Sequence, residues 1–279
     1  MLPKSREIKL TARAGLRGHW LEAMAVTVIL SLSILFAEMF RATVASVFGT
    51  ILTTSDGRFT VPGLTVLLFV AVIVIFFSIP LCLGAIRWFW TLSGGECRPI
   101  SEVFYYYSEW RLFAKSVFTA ARLLVKIILA ALVCYLPALL VWSLTQNSVY
   151  ELIGIKPLTD AKVLWPLLYL FCIFSTLVLL KIILRYSLTP VLVILDESLD
   201  PGEAINISKT IAKTHKSAYV YIFLSFLGWI LFSAFGITLL YTLPFTFMSY
   251  VVFVRFALSN HRYEAEQEGI RPIFPRSNP

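Results

Sequence analysis

Residues 61–92 read VPGLTVLLFVAVIVIFFSIPLCLGAIRWFWTL, with Arg87 as the one charged side chain. About 20 mainly apolar residues in a helix cross a hydrocarbon layer, because a helix satisfies its own backbone hydrogen bonds there. This stretch exceeds that length, so it predicts a membrane span. The rest of the chain agrees. It has 279 residues, 58% of them hydrophobic and only 14% charged, with a mean hydropathy of +0.82. Soluble domains carry about 25% charged residues. With so little polar surface, lipid must be the solvent for much of the chain.

Six stretches meet the length requirement: Leu21–Phe48, Val61–Leu92, Ile127–Leu144, Val163–Ile194, Ala218–Leu239 and Tyr241–Leu258. Pro80 and Pro190 remove backbone donors inside the second and fourth, and each is expected to kink or end its helix. A very short turn joins the fifth to the sixth, where Pro244 suits a first helical turn. The apolar run near the start continues past signal-peptide length with no small-x-small cleavage site, so it is read as the first span.

Lys and Arg concentrate in the N-terminus (Lys4, Arg6, Lys9, Arg13, Arg17), after the second span (Arg98, Arg111, Lys115, Arg122, Lys126), after the fourth (Lys209, Lys213, Lys216) and in the tail (Arg262, Arg271, Arg276). The alternate loops hold only Arg58, Lys156 and Lys162. Basic loops stay cytoplasmic, so both termini are expected inside. The net charge of +8 is then a property of those loops, and no nucleic-acid partner is expected. Trp20, Trp88, Trp90 and Trp110 fall near the inner boundary, and Trp142 and Trp165 near the outer one, where amphipathic rings anchor.

A pattern repeats about every hundred residues: a basic amphipathic helix, an outward span and a returning span. At 100° per residue, Arg6, Lys9, Arg13 and Arg17 oppose Ile8, Ala12 and Gly15. Arg111, Lys115, Arg122 and Lys126 oppose Phe113, Val117, Ala121 and Leu124. Lys209, Lys213 and Lys216 oppose Ala204, Ser208 and Ile211. The third helix has a start signal, with Asp200 as N-cap, Pro201 in the first turn and Glu203 completing a capping box. Such helices are expected in the headgroup layer, apolar side down. The fold expected is all-α: a polytopic membrane protein of six transmembrane helices in three helical hairpins, each preceded by an amphipathic interfacial helix. Residues 1–260 form one transmembrane domain with pseudo-repeats near 4–95, 100–197 and 201–258, and 261–279 form a polar cytoplasmic tail. Pro272, Pro275 and Pro279 argue against an extended helix after Asn260.

Each returning span carries an aliphatic-Arg-aromatic triplet near its inner end: Ile86-Arg87-Trp88, Leu184-Arg185-Tyr186 and Val254-Arg255-Phe256. One reading is snorkelling, with Arg reaching the interface and the aromatic anchoring it. The other is a set of basic pockets for anionic lipid headgroups, formed by Arg87, Trp88, Arg122, Lys126, Arg185, Tyr186, Arg255 and Phe256.

Several local patterns resemble one bacterial membrane family, domain of unknown function 975. These are Ala12–Ile29 (Ala-x-x-x-Leu-x-Gly-x-Trp into the first span), Pro80-Leu81-Cys82-Leu83-Gly84, the Gly94-Gly95-Glu96 turn, Ile100-Ser101-x-x-Phe104, Tyr186-Ser187-Leu188-Thr189-Pro190, Glu203-Ala204-Ile205 with Ser208-Lys209, and His215-Lys216. Their order covers most of the chain. The resemblance implies a multi-span protein of the bacterial cytoplasmic membrane and no catalytic residues to carry over. Gly94 stands where that turn more commonly has Arg, which puts an ion pair at this position in doubt.

Catalytic signals are few. His19, His215 and His261 are far apart, with no HExxH motif, phosphate loop or GxSxG elbow. Cys82, Cys134 and Cys172 lie in apolar runs, Cys97 does not, and no CxxC pair exists. Neither disulfide framework, metal site nor cofactor is expected. Glu38 and Arg41 share a helix face at i,i+3 and form a candidate intramembrane ion pair or, alternatively, a coupling site for proton-driven transport. Glu22 is placed to face His19 or nearby basic groups. Asp196 and Glu197 are read as answering the basic face or ending a helix. The leading functional reading is a non-catalytic membrane protein with an accessory, organising or anionic-lipid-associated role. Its partners would be membrane lipids and a membrane protein. A transporter or permease component is the alternative, and a lipid-modifying enzyme is third.

Overall fold

The computed structural model describes residues 5–47, 60–143, 161–214, 224–225 and 238–267. Among these there is no strand. The helices are α1 (Ser5–Gly15), α2 (Trp20–Val47), α3 (Val61–Ser93), a 3-10 helix (Ile100–Tyr107), α4 (Trp110–Ser143), α5 (Ala161–Leu184), α6 (Thr189–Leu195), α7 (Pro201–Thr214) and α8 (Leu239–Gln267). Among the described residues, five stretches are long and apolar enough to cross a membrane: Trp20–Val47, Val61–Ser93, Trp110–Ser143, Trp165–Leu195 and Leu239–Tyr263. The expected fifth span, Ala218–Leu239, lies almost wholly outside the described residues.

Several boundaries differ from the expectation. The second basic segment is not a separate interfacial helix, because it runs without interruption into the third span as α4. No glycine or proline stands between Trp110 and Tyr135 to break it. Pro80 is accommodated inside α3, whereas the chain does break between α5 and α6, just before Pro190. Pro190 falls in the first turn of α6, where its missing backbone donor costs no intrahelical bond. α8 begins two residues earlier than expected and carries Pro244 internally. It also runs past Asn260 to Gln267, since the first proline of the tail lies beyond that point.

The core lies at one end of the bundle. It is built from the C-terminal part of α3 (Leu81, Ala85, Trp88, Phe89), the start of α2 (Ala23, Val26), α6 (Val191–Ile194) and the middle of α8 (Met248, Val251–Val254). The basic helices close over it. α1 packs on α8 with Ile8, Ala12 and Leu16 buried. α7 buries Ala204, Ser208 and Ile211, the face expected from its periodicity. Both apolar faces therefore rest on protein rather than on a headgroup layer. The other halves of α2 to α5 expose large apolar side chains, among them Leu35, Phe36, Phe69, Leu129, Val133, Leu170 and Phe174. That surface needs an apolar solvent.

Two glycines are required by geometry. Gly18 has φ +86° in the turn between α1 and α2, a conformation that L side chains enter at a cost of about 1–2 kcal/mol. Gly84 lets the 3-10 helix touch α3. A Cβ built there would lie 1.9 Å from the Val103 carbonyl oxygen, and Val103 is itself fully buried. Gly84→Ala is therefore expected to lower stability by about 2–3 kcal/mol through overpacking. A thermal melt of the purified protein in mild detergent checks this, and an unchanged midpoint would contradict the close approach.

Candidate functional site

The polar residues at the core end form a connected cluster. Arg87, near the end of α3, donates from Nε to Glu102 Oε1 at 3.3 Å and from Nη1 to Glu197 Oε1 at 3.0 Å. Its guanidinium carbon sits 3.7 Å from the centroid of the Tyr105 ring. Tyr105 donates its hydroxyl to Glu197 at 2.8 Å, and Arg98 donates to Glu102 at 2.7 Å. Lys115 donates to the Glu197 carbonyl. One arginine thus joins α3, the 3-10 helix and the segment after α6. The Glu102 carboxylate, only 11% exposed, is compensated by two guanidinium groups, as a shielded charge requires.

The neighbouring groups respond to this environment. The Glu102 carboxylate raises Arg98 above its ordinary value. Burial pushes the Tyr106 phenol up to about 12. Hydrogen bonds from the Ser198 hydroxyl and amide hold Asp196 below the usual carboxylate range. The Gly202 amide, 2.7 Å from Asp200 Oδ2, does the same for Asp200. Asp200 is thus the expected N-cap of α7, and it also pairs with Arg122 at 3.0 Å. The Asp196 carboxylate bonds Ser198, the Glu197 carboxylate bonds Arg87 and Tyr105, and Lys115 bridges their two backbone carbonyls.

Arg255 performs a different task. It reaches from α8 to the C-terminal end of α3, donating to the Trp90 carbonyl at 2.9 Å and to Ser93 Oγ at 2.7 Å. Its guanidinium lies over the Trp90 ring at 4.4 Å. A cation there suits the carbonyl end of a helix. A Cβ on Gly94 would stand 2.7 Å from Arg255 Nη2, the movable end of a flexible side chain.

The residues singled out as lipid contacts are distributed unevenly. Arg87 and Arg255 are engaged by protein groups. Trp88 is fully buried and donates to the Arg98 carbonyl at 2.9 Å, so it supports the loop after α3 rather than anchoring in an interface. Arg185 and Tyr186 lie half-buried at the break after α5, where Ser208 Oγ bonds the Arg185 carbonyl at 2.9 Å. Tyr250 donates to the Ser187 carbonyl in the same break. Side chains thereby satisfy backbone groups that the interrupted helix leaves open. Phe256 is half-buried, and Lys126 is exposed on α4. Glu38 and Arg41 pair at 2.8 Å with both side chains more than half exposed.

Two groupings escaped the sequence. The first is a groove of about 420 Å³ between α1 and α8, lined by Arg6, Lys9, Arg13, Tyr241 and Phe245 with Ser225. Lys9 donates to the Ser225 carbonyl at 2.9 Å. The basic stripe of α1 was legible, but its facing aromatics were not. The second adds Cys97 to the His19–Glu22 pair that the sequence placed together. His19 Nδ1 lies 2.8 Å from Glu22 Oε2, and Cys97 Sγ lies 3.4 Å from His19 Nδ1 and 3.2 Å from Glu22 Oε2. The adjacent Glu22 carboxylate pushes the Cys97 thiol up. No spacing signal links Cys97, 75 residues from Glu22, to that pair.

Residues 1–260 match the model of the family described as protein of unknown function (DUF975). The chain belongs to that family, as the order of its local motifs implied. No curated protein and no solved structure matches it.

Arg87→Gln is expected to lower stability by about 2 kcal/mol, since it removes charge-assisted hydrogen bonds from two carboxylates. In a double-mutant cycle with Glu197→Gln, the two losses should fall short of additive by about 1 kcal/mol. Strict additivity of the melting data would show that the pair contributes nothing.

Proposed function

Starting from membership of a family without an assigned activity, we propose that this protein is a non-catalytic, anionic-lipid-associated component of the bacterial cytoplasmic membrane. Its core end, and with it both termini, faces the cytoplasm. The observation that carries this reading is the groove between α1 and α8. Arg6, Lys9 and Arg13 form one wall, while Tyr241 and Phe245 supply an apolar one. A phospholipid has this composition, with an anionic head above acyl chains, and basic residues near a membrane surface attract such heads by about 1 kcal/mol each.

The location supports the same reading. The groove lies beside the basic helices, and the exposed apolar halves of α2 to α5 extend from the opposite end of the core. Basic segments remain on the cytoplasmic side, which orients the core end inward. Arg87 and Arg255 act in this account as internal clamps. Lys126, exposed on α4, adds to the basic surface.

Replacing Arg6, Lys9 and Arg13 together by Gln should reduce co-purified anionic phospholipid several-fold in native mass spectrometry of the gently released protein. Neutral lipid should be retained as before. Unchanged anionic lipid would sink this reading. The comparison variant Arg87→Gln should lose stability while keeping its lipid.

A further inference from the structure

Three side chains of different metal-ligating chemistry meet at one point, His19 and Glu22 from the start of α2 and Cys97 from the loop after α3. His19 N-caps α2, with the Ala23 amide bonded to its carbonyl at 3.0 Å, and Glu22 follows one turn later. Cys97 lies in the loop between α3 and the 3-10 helix. Both connections are held in place. The Gly18 turn at φ +86° delivers the first, and Gly95 at φ +88° turns the second. The Trp88 indole then pins the loop next to Cys97 through the Arg98 carbonyl.

We propose that His19 Nδ1, the Glu22 carboxylate and Cys97 Sγ form a binding site for a zinc-class divalent transition metal, with the fourth position open to water. Their ligand atoms all lie within 4.8 Å of one another. Zinc bonds of roughly 2.3 Å to sulfur and 2.0–2.2 Å to nitrogen or oxygen place tetrahedral ligand atoms about 3.3–3.6 Å apart. The sulfur already stands 3.4 Å from nitrogen and 3.2 Å from oxygen. The 2.8 Å gap between nitrogen and oxygen opens by about half an ångström when the carboxylate turns from its hydrogen bond to the metal.

The charge balances. A thiolate and a carboxylate offset a divalent cation, and the imidazole ligates neutral with its proton on Nε2. Binding releases the Cys97 thiol proton to solvent. Sulfur together with imidazole selects zinc-like metals over magnesium or calcium. Cys97 is exposed and the other two side chains are half-exposed, so metal enters directly from water. The bound ion would tie the α1–α2 junction to the loop after α3.

The test uses the full-length protein in detergent after chelator treatment and dialysis. One Co²⁺ per chain should bind with a near-ultraviolet thiolate charge-transfer band, and Zn²⁺ should displace it. Cys97→Ser should abolish the band and weaken Zn²⁺ binding at least tenfold, as should His19→Gln, while Cys172→Ser should change neither. Absence of the band in the unaltered protein, or equal Zn²⁺ affinity in Cys97→Ser, would overturn the proposal. A second measurement needs no variant. Zn²⁺ should slow alkylation of Cys97 at least tenfold, and an unchanged rate would equally overturn it.

Discussion

The ion pairs of Arg87 join three separate parts of the chain. α3 ends, the 3-10 helix begins and the segment after α6 turns within reach of one guanidinium. Its two carboxylate partners come from the 3-10 helix and from the segment after α6, and the Tyr105 ring covers its face. A charge at the edge of a low-dielectric layer must be compensated, because the alternative is a desolvated ion without a partner. That requirement sets the position of the 3-10 helix. The contact between Gly84 and Val103 sets how closely it approaches. Once the 3-10 helix is placed, Tyr106 is buried, and α4 leaves with Arg122 and Lys115 facing the segment from Asp196 to Asp200.

The molecule is therefore two materials in one chain. At the core end, helices interlock through buried apolar faces and specific polar bonds. Away from it, long apolar helices expose leucine, valine and phenylalanine and depend on their surroundings for solvation. Arg255 shows how the two are joined. Its guanidinium caps α3 from α8, so an arginine that a hydropathy profile treats as a defect in a span instead secures a helix end.

Local patterns in the sequence carried much of this. The apolar runs marked the long helices, Asp200 and Pro201 marked the start of α7, and the period of Ala204, Ser208 and Ile211 identified its buried face. Pro190 marked a break. What those faces rest on was not legible, since periodicity reports an apolar side but not whether lipid or protein covers it. Partners distant in sequence were equally hidden. Arg87 and Glu197 are 110 residues apart, and Cys97 and Glu22 are 75 apart, with no motif to couple them. Trp88 illustrates the same limit. Its place near the inner end of a span suggested an interfacial ring, while its indole is a buried strut.

The basic surface helices belong to a protein core and do not merely float on lipid. Hydrogen exchange of the full-length protein in nanodiscs tests it most directly, comparing neutral with anionic lipid. If α1 and α7 are packed on α8 and α6 as the structure shows, their amides stay protected to the same degree in both lipids. Loss of that protection in neutral lipid would mean that membrane charge, and not the core, holds these helices in place.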